Sequence, residues 1–292
     1  MTREWDEIKY EVAVANRVLA EVGLATGFRA SLGHASMRLP NDPDKFVVKG
    51  RGYTVDALHS MRPQDMIVVD IEGHKVDGPV GSSQPFEVIM HSSIMKLRPE
   101  IKSVVHVHPH YTILASTLNK RLRPMNQEGA QLVQKELPMW NHVKTVQTED
   151  EGLEVAQLMG DSKAILLRGH GATTAGSSLE DAVMTMMQLE EQAKMNYWAF
   201  SAMGADHPYL EDEIVDQIIS YMAHVASETK RVVECIGVAT YAISGKIYTV
   251  AFRVGARSAE TRGQNEPLVV KTFLNTSEES SNALENKQKR KR

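Results

Sequence analysis

The sequence predicts a mixed α/β fold, and three observations carry that reading. Apolar residues recur three and four apart over residues 5–22 and again over 179–203, the spacing of amphipathic helices. Short apolar runs rich in β-branched residues, at 45–48, 66–70, 101–108 and 164–167, have the length of strands. Stretches containing glycine, proline or serine separate these segments.

The elements follow in order. Trp5, Ile8, Val12, Ala15, Leu19 and Val22 line one face of the first helix, and Gly23 stands where a C-cap belongs. Residues 27–34 read as a loop feeding a strand that alternates from Ala35 to Leu39. Residues 45–48 form a second strand, ending in Lys49-Gly50-Arg51-Gly52-Tyr53. There the glycines permit close backbone approach, and Lys49 and Arg51 bring positive charge to one turn. Residues 66–70 are a strand, with Glu72-Gly73 turning into a short return strand. Ser82-Ser83-Gln84-Pro85 predicts a helix start, with hydroxyls for capping and proline in the first turn. That helix would run to Leu97, stop at Arg98-Pro99, and place Glu87 and His91 on one face.

Residues 101–108 then form a buried strand and 111–118 a short helix; 125–133 is an element of undetermined type. Residues 150–159 read as a helix with an acidic first turn. Residues 164–167 are an apolar strand running into Arg168-Gly169-His170-Gly171, followed by the long helix over 179–203. After residue 206 the pattern predicts a helix over 211–235 and a hairpin over 241–254 with a Ser244-Gly245 turn. From Gly255 the chain is polar and aperiodic, which predicts disorder up to the basic run 287–292. The expected division is a catalytic domain over 1–210, a helix and hairpin over 211–254, and a tail over 255–292.

Composition bounds the function. The 292 residues are 42% hydrophobic, enough for a substantial core, and the net charge of −4 argues against a general nucleic-acid binder. A single cysteine, Cys235, excludes an internal disulfide and points to a reducing compartment. No apolar run approaches the roughly 18–20 residues that cross a bilayer, and the charged N-terminus lacks a signal-type core. A cytoplasmic protein with no membrane partner is expected.

The chemistry gathers on Ser103-Val-Val-His106-Val-His108-Pro109-His110. Side chains two apart on a strand share a face, so His106 and His108 supply two imidazoles side by side. His170, on its glycine-flanked turn after an apolar strand, is the candidate third ligand, since metal ligands commonly converge from separate strands. The competing reading is three ordinary core-edge histidines. Glu87 is the candidate acid/base, against the plainer reading of a solvated helix glutamate. His91 fits a structural hydrogen bond equally well, and His110 and His142 read as loop histidines near a rim.

The motifs in succession resemble a known family. Ser82-Ser83 with Glu87 and His91, then Arg98-Pro99 ahead of His106-Val-His108-Pro109, then Leu-Leu-Arg168-Gly169-His170-Gly171 and finally Leu189-Glu190-Glu191 are similar to the class II aldolase/adducin superfamily over residues 8–205. The resemblance implies a three-layer α/β/α sandwich on a mainly antiparallel sheet, assembled as a homotetramer with sites near subunit interfaces. It also implies one divalent metal per subunit (zinc, iron or manganese) on His106, His108 and His170, with Glu87 working beside it. Adducins share the fold without this ligand set, so the resemblance favours an enzyme over an adducin-like interaction module.

Within the family the substrate loops discriminate. Sugar-phosphate aldolases hold phosphate on a Gly-Asn loop, a Thr-x-Ser-Gly-type turn and a Ser-Ser pair. Here the first reads Gly33-His34 and the second Lys49-Gly50-Arg51-Gly52, while Ser82-Ser83 remains. Histidine in place of asparagine resembles the decarboxylases of dihydroxyphthalate-type acids, and an arginine can grip a carboxylate through two parallel hydrogen bonds. Phe28-Arg29-Ala-Ser31-Leu-Gly33-His34 and Lys49-Gly-Arg51-Gly-Tyr53 resemble the prenylated-hydroxybenzoate branch, whose members are regarded as decarboxylases or non-haem iron oxygenases. The expected activity is a metal-dependent lyase, a decarboxylase of an aromatic or enolisable carboxylic acid. His34, Arg51, Ser82 and Ser83 are its expected substrate contacts. An Fe(II) oxygenase and a class II aldolase on a hydroxy-keto substrate are the alternatives.

Overall fold

The first element of the computed structural model, which describes residues 3–228, 235–243 and 246–254, is helix α1 (Arg3–Glu21). Ile8, Val12, Ala15 and Leu19 are buried along it, as their spacing requires. Strands β1 (His34–Leu39), β2 (Asp42–Lys49), β3 (Met66–Asp70) and β4 (Lys75–Asp77) follow as an antiparallel meander. Helix α2 (Val88–Leu97) leads into β5 (Ser103–Val107), then α3 (His110–Thr117), the short α4 (Ala130–Gln134) and β6 (Met139–Trp140). Helix α5 (Glu149–Met159), β7 (Ala164–Leu167), β8 (Gly171–Gly176) and α6 (Leu179–Met203) complete the layered region, and α7 (Asp212–Glu228) comes after it.

Eight strands form one sheet in the order β4-β3-β2-β1-β5-β8-β7-β6, antiparallel throughout except for β6 on β7. Each strand alternates between two helical layers. Phe46 and Val48 of β2, Ile67 and Val69 of β3 and Val104 of β5 pack in one core with α2 and α5. The other face carries α1 and α6, which touch each other, and α3 packs on α6. This is the expected three-layer α/β/α sandwich. Among the described residues no helix is long and apolar enough to cross a membrane.

Two departures from the sequence reading bear on the site. The helix expected from Ser82 begins instead at Val88. Ser83 exchanges backbone hydrogen bonds with Arg51, at 2.8 and 3.1 Å, and proline at 85 biases Gln84 away from helical backbone. The Ser82 hydroxyl donates to the Pro79 carbonyl rather than capping α2. Second, the stretch after His170 is strand β8, in the middle of the sheet. Its residues, Gly-Ala-Thr-Thr-Ala-Gly, carry almost no hydropathy signal, yet all six are buried.

The chain divides into two compact units, Met1–Ala223 and His224–Arg292. In the second, β9 (Cys235–Ile243) pairs antiparallel with β10 (Lys246–Val254), from Lys246 opposite Ile243 to Val254 opposite Cys235. The first strand therefore starts at Cys235, where a helix was expected to end. Ile236, Val238 and Thr240 are β-branched and favour the extended chain. The Ser244-Gly245 turn and the tail 255–292 lie outside the described residues.

Candidate metal centre

The sheet register builds the site. His34 at the start of β1 lies opposite His106 of β5, and His106 lies opposite Thr173 of β8. Gly33 (φ +95°) makes this approach possible. A Cβ there would collide with the His106 carbonyl oxygen and would stand 2.9 Å from Val107 Cα. His106 is fully buried and faces α2 together with Val104; His108, just past the strand end, emerges on the same side. His170 enters on the β7–β8 turn, where Gly169 has φ +63°. The following glycine is required too, because a Cβ at Gly171 would strike the Val107 carbonyl oxygen.

Glu87 stands immediately before α2 and is buried, not solvated. Its Oε2 is 3.2 Å from His106 Nε2 and its Oε1 3.3 Å from His170 Nε2. His106 Nε2 and His108 Nε2 are 3.0 Å apart. One donor atom from each of Glu87, His106, His108 and His170 lies within 4.8 Å of all the others. The residues singled out from their spacing thus meet in space.

The donor set fits a divalent cation. His106 Nδ1 is 3.0 Å from the Ala172 carbonyl oxygen, which can only accept. The proton therefore sits on Nδ1, and Nε2 presents a lone pair toward His108 and Glu87. The lone pair of His106 Nε2, 3.0 Å from His108 Nε2, is open to a cation or to a proton carried by His108. Burial, followed by the neighbouring imidazoles, lowers His108 to about 3, and the same causes lower His170 to about 4. Both are then neutral near pH 7, the form that binds metal. Burial pushes the Glu87 carboxyl up, while positive charge on the surrounding imidazoles, His106 first, pulls it down to about 2; where those rings are neutral, a bound cation would supply that charge. Among the described residues no hydrogen bond satisfies the buried Glu87 Oε1.

The expected substrate residues are placed less uniformly. His34 is buried against His91 and His106, with ring centroids 4.5 and 5.8 Å away, and neither of its ring nitrogens has a hydrogen-bond partner among the described residues. Arg51 is half-buried with its guanidinium 4.5 Å over the exposed Phe86 ring. Ser82 is engaged with Pro79 and Lys75, while Ser83 is exposed and bridged through its backbone to Arg51. Lys49 does not add an open charge to this turn. It is buried and donates to the Ser31 and Asp56 carbonyls, and burial lowers it to about 8. His91 donates to or accepts from Ser36 Oγ at 2.7 Å rather than pairing with Glu87. His110 and His142 are exposed and stand outside the cluster.

Three contributors were given no role by the sequence reading, although Glu190 and Arg29 stand in its motifs. Thr173 Oγ1 stands 3.2 Å from His106 Nδ1, on the strand that had no hydropathy signal. Glu190 of α6 accepts from Tyr111 N, Thr112 N and Thr112 Oγ1, anchoring the helix that follows His108. Arg29 contacts His110 at 3.4 Å, and its charge is felt at His108. Only its position within Phe28-Arg29-Ala-Ser31 hinted at that.

The family model for the class II aldolase and adducin N-terminal domain matches residues 10–197. The chain belongs to this family. It is 32% identical over 201 residues to 3,4-dihydroxyphthalate decarboxylase of Arthrobacter keyseri, covering 66% of this chain and 79% of that protein. It is 26% identical over 201 residues to a 4-hydroxy-3-prenylphenylpyruvate oxygenase/4-hydroxy-3-prenylbenzoate synthase of Streptomyces roseochromogenus subsp. oscitans, covering 68% and 70%. The crystal structure of an aldolase II superfamily protein from Pseudomonas syringae superposes with a TM-score of 0.67 at 23% identity, over 75% of this chain and 86% of that one. Family membership accounts for the sheet that presents His106 and His108 together.

Proposed function

We propose that this class II aldolase family member is a metal-dependent carbon–carbon lyase that decarboxylates an aromatic or enolisable carboxylic acid. The observation that carries the reading is the convergence of Glu87, His106, His108 and His170. The similarity to dihydroxyphthalate decarboxylases over the same residues supports the choice of reaction. A divalent zinc, iron or manganese ion held by the three imidazoles would supply Lewis acidity toward a substrate oxygen.

The chain's own residues do the rest. His106 is locked by the Ala172 carbonyl and needs no reorganisation to present Nε2. Glu87, an ionised carboxylate beside them, accepts a proton from the substrate hydroxyl. Glu87 returns the proton to the carbon that bears the carboxylate, the bond to the carboxylate breaks with its electron pair flowing back to the substrate oxygen, and carbon dioxide leaves. A solvent proton then restores the hydroxyl. Arg51, half-buried and without a carboxylate partner among the described residues, grips the departing group beside the Phe86 ring. The exposed Ser83, bridged to Arg51, completes the substrate side, and His34 lies buried behind the His106 ring. The catalytic unit corresponds to residues 1–210 and works as a homo-oligomer, a tetramer on the family pattern.

Anaerobic turnover of hydroxylated aromatic acids by the metal-loaded protein tests this, with one carbon dioxide expected per substrate consumed. Strict dependence on O₂ and Fe(II) would overturn it in favour of the oxygenase reading that the prenylbenzoate-synthase relative supports. Aldehyde release from a phosphorylated ketose would establish an aldolase. Purified protein with no stoichiometric metal, and no change in thermal stability on chelation, would establish an interaction module instead.

A further inference from the structure

A cavity of about 160 Å³ opens between the end of α3 and helix α6; none of the four clustered residues lines it. Its walls are apolar, with Leu114, Leu118, Ala193 and Phe200. Its lip is the segment after α3, which brings Lys120, Arg121 and Arg123 to one edge. None of these three cations pairs with a carboxylate among the described residues. Lys120 Nζ lies 5.0 Å over the Phe200 ring, the Arg123 guanidinium 4.6 Å over Tyr209, and Arg121 donates to the Gln134 carbonyl. Three unpaired positive groups in four residues, in a chain of net charge −4, make a local field that selects for an anion.

The lip is built rather than loose. Asn196, buried on α6, accepts from Arg123 N at 2.9 Å and donates to the Arg123 carbonyl at 2.8 Å. Leu122, buried between Arg121 and Arg123, lines the cavity with them. Size limits the occupant: a cavity of about 150 Å³ takes up a benzene-sized group. We propose that this cavity binds a small anion with a single-ring apolar body, of the aryl carboxylate or aryl phosphate class. The ring enters between Leu114, Ala193 and Phe200, and the anionic head meets Lys120 and Arg123.

Calorimetric titration of the full-length, metal-loaded chain with phenyl phosphate tests the site, with benzyl alcohol as the uncharged control. Saturable binding of phenyl phosphate is expected, weaker at high salt, with markedly weaker binding of benzyl alcohol. Lys120→Gln/Arg123→Gln removes both charges while leaving the backbone anchored by Asn196. It should weaken binding at least about tenfold, the size of one lost charge-assisted hydrogen bond, with metal content unchanged. Ala205→Phe, a substitution at an exposed lining position, should block binding by filling the mouth. Absence of saturable binding, equal affinity for benzyl alcohol, or unchanged affinity in both variants (binding at the metal centre only) would overturn the proposal. The readout is binding rather than turnover, so the proposal stands or falls separately from the decarboxylase reading.

Discussion

His106 carries more of the site than its neighbours, because both of its ring nitrogens are committed. Nδ1 is held by the Ala172 carbonyl and by Thr173 Oγ1, and Nε2 meets Glu87 and His108. His106→Ala should abolish stoichiometric metal in elemental analysis. Thr173→Val keeps the Ala172 contact and should weaken metal affinity by about tenfold, the lower end for loss of a ligand's supporting hydrogen bond. Acid should act through the same residues. An imidazole in the unfolded chain takes its proton near pH 6.5, whereas His91 and His108 are held at about 3 and His170 at about 4, by burial first. Between those values the unfolded chain binds more protons, so stability is full above pH 6.5 and falls as pH drops through this window. Glu87, held at about 2 against an ordinary 4.5, adds a loss of the same sign at lower pH. Urea midpoints of the metal-free protein should decline steadily from pH 6.5 to 4; a flat profile would contradict the burial of these rings.

At the scale of elements, the site depends on two close approaches. Helix α3 starts two residues after His108, and Glu190 of α6 satisfies its first backbone donors from across the layer. Glu190→Ala strands those buried N–H groups and should cost about 2–3 kcal/mol of unfolding free energy, measured in denaturant. Gly33→Ala tests the β1–β5 contact, where a methyl group has no room against His106 and Val107. A loss of about 3 kcal/mol or more, or insoluble protein, is expected. The interiors of several elements were legible in the sequence because periodicity is a local property. Helix α6 was read at its observed limits, and β7 likewise. The start of α2 was not legible, because a non-local backbone bridge from Arg51 holds Ser83 extended. Strand β8 was not, because alanine, glycine and threonine fit the sheet centre by size rather than hydropathy.

For the whole molecule, a metal that binds only the folded state adds stability by mass action. At free metal about 100-fold above its dissociation constant the gain is about 2.7 kcal/mol. Chelation should therefore lower the melting temperature of the native protein and of the Lys120→Gln/Arg123→Gln variant alike, since the cavity and the cluster share no residue. Scanning calorimetry with and without chelator checks both. Equal melting temperatures would remove the metal from the site.

The sequence by itself determined the alternation of helices and strands, the shared face of His106 and His108, and the candidacy of His170 and Glu87. These are matters of spacing along a short stretch, or of motifs in a fixed order. Only the tertiary structure decided that the four donors meet, that Ala172 sets the His106 tautomer, that His34 is buried rather than open, and that three cations rim a cavity away from the metal centre. Those facts depend on sheet register and on packing between residues far apart in the chain, where spacing along the sequence says nothing about distance.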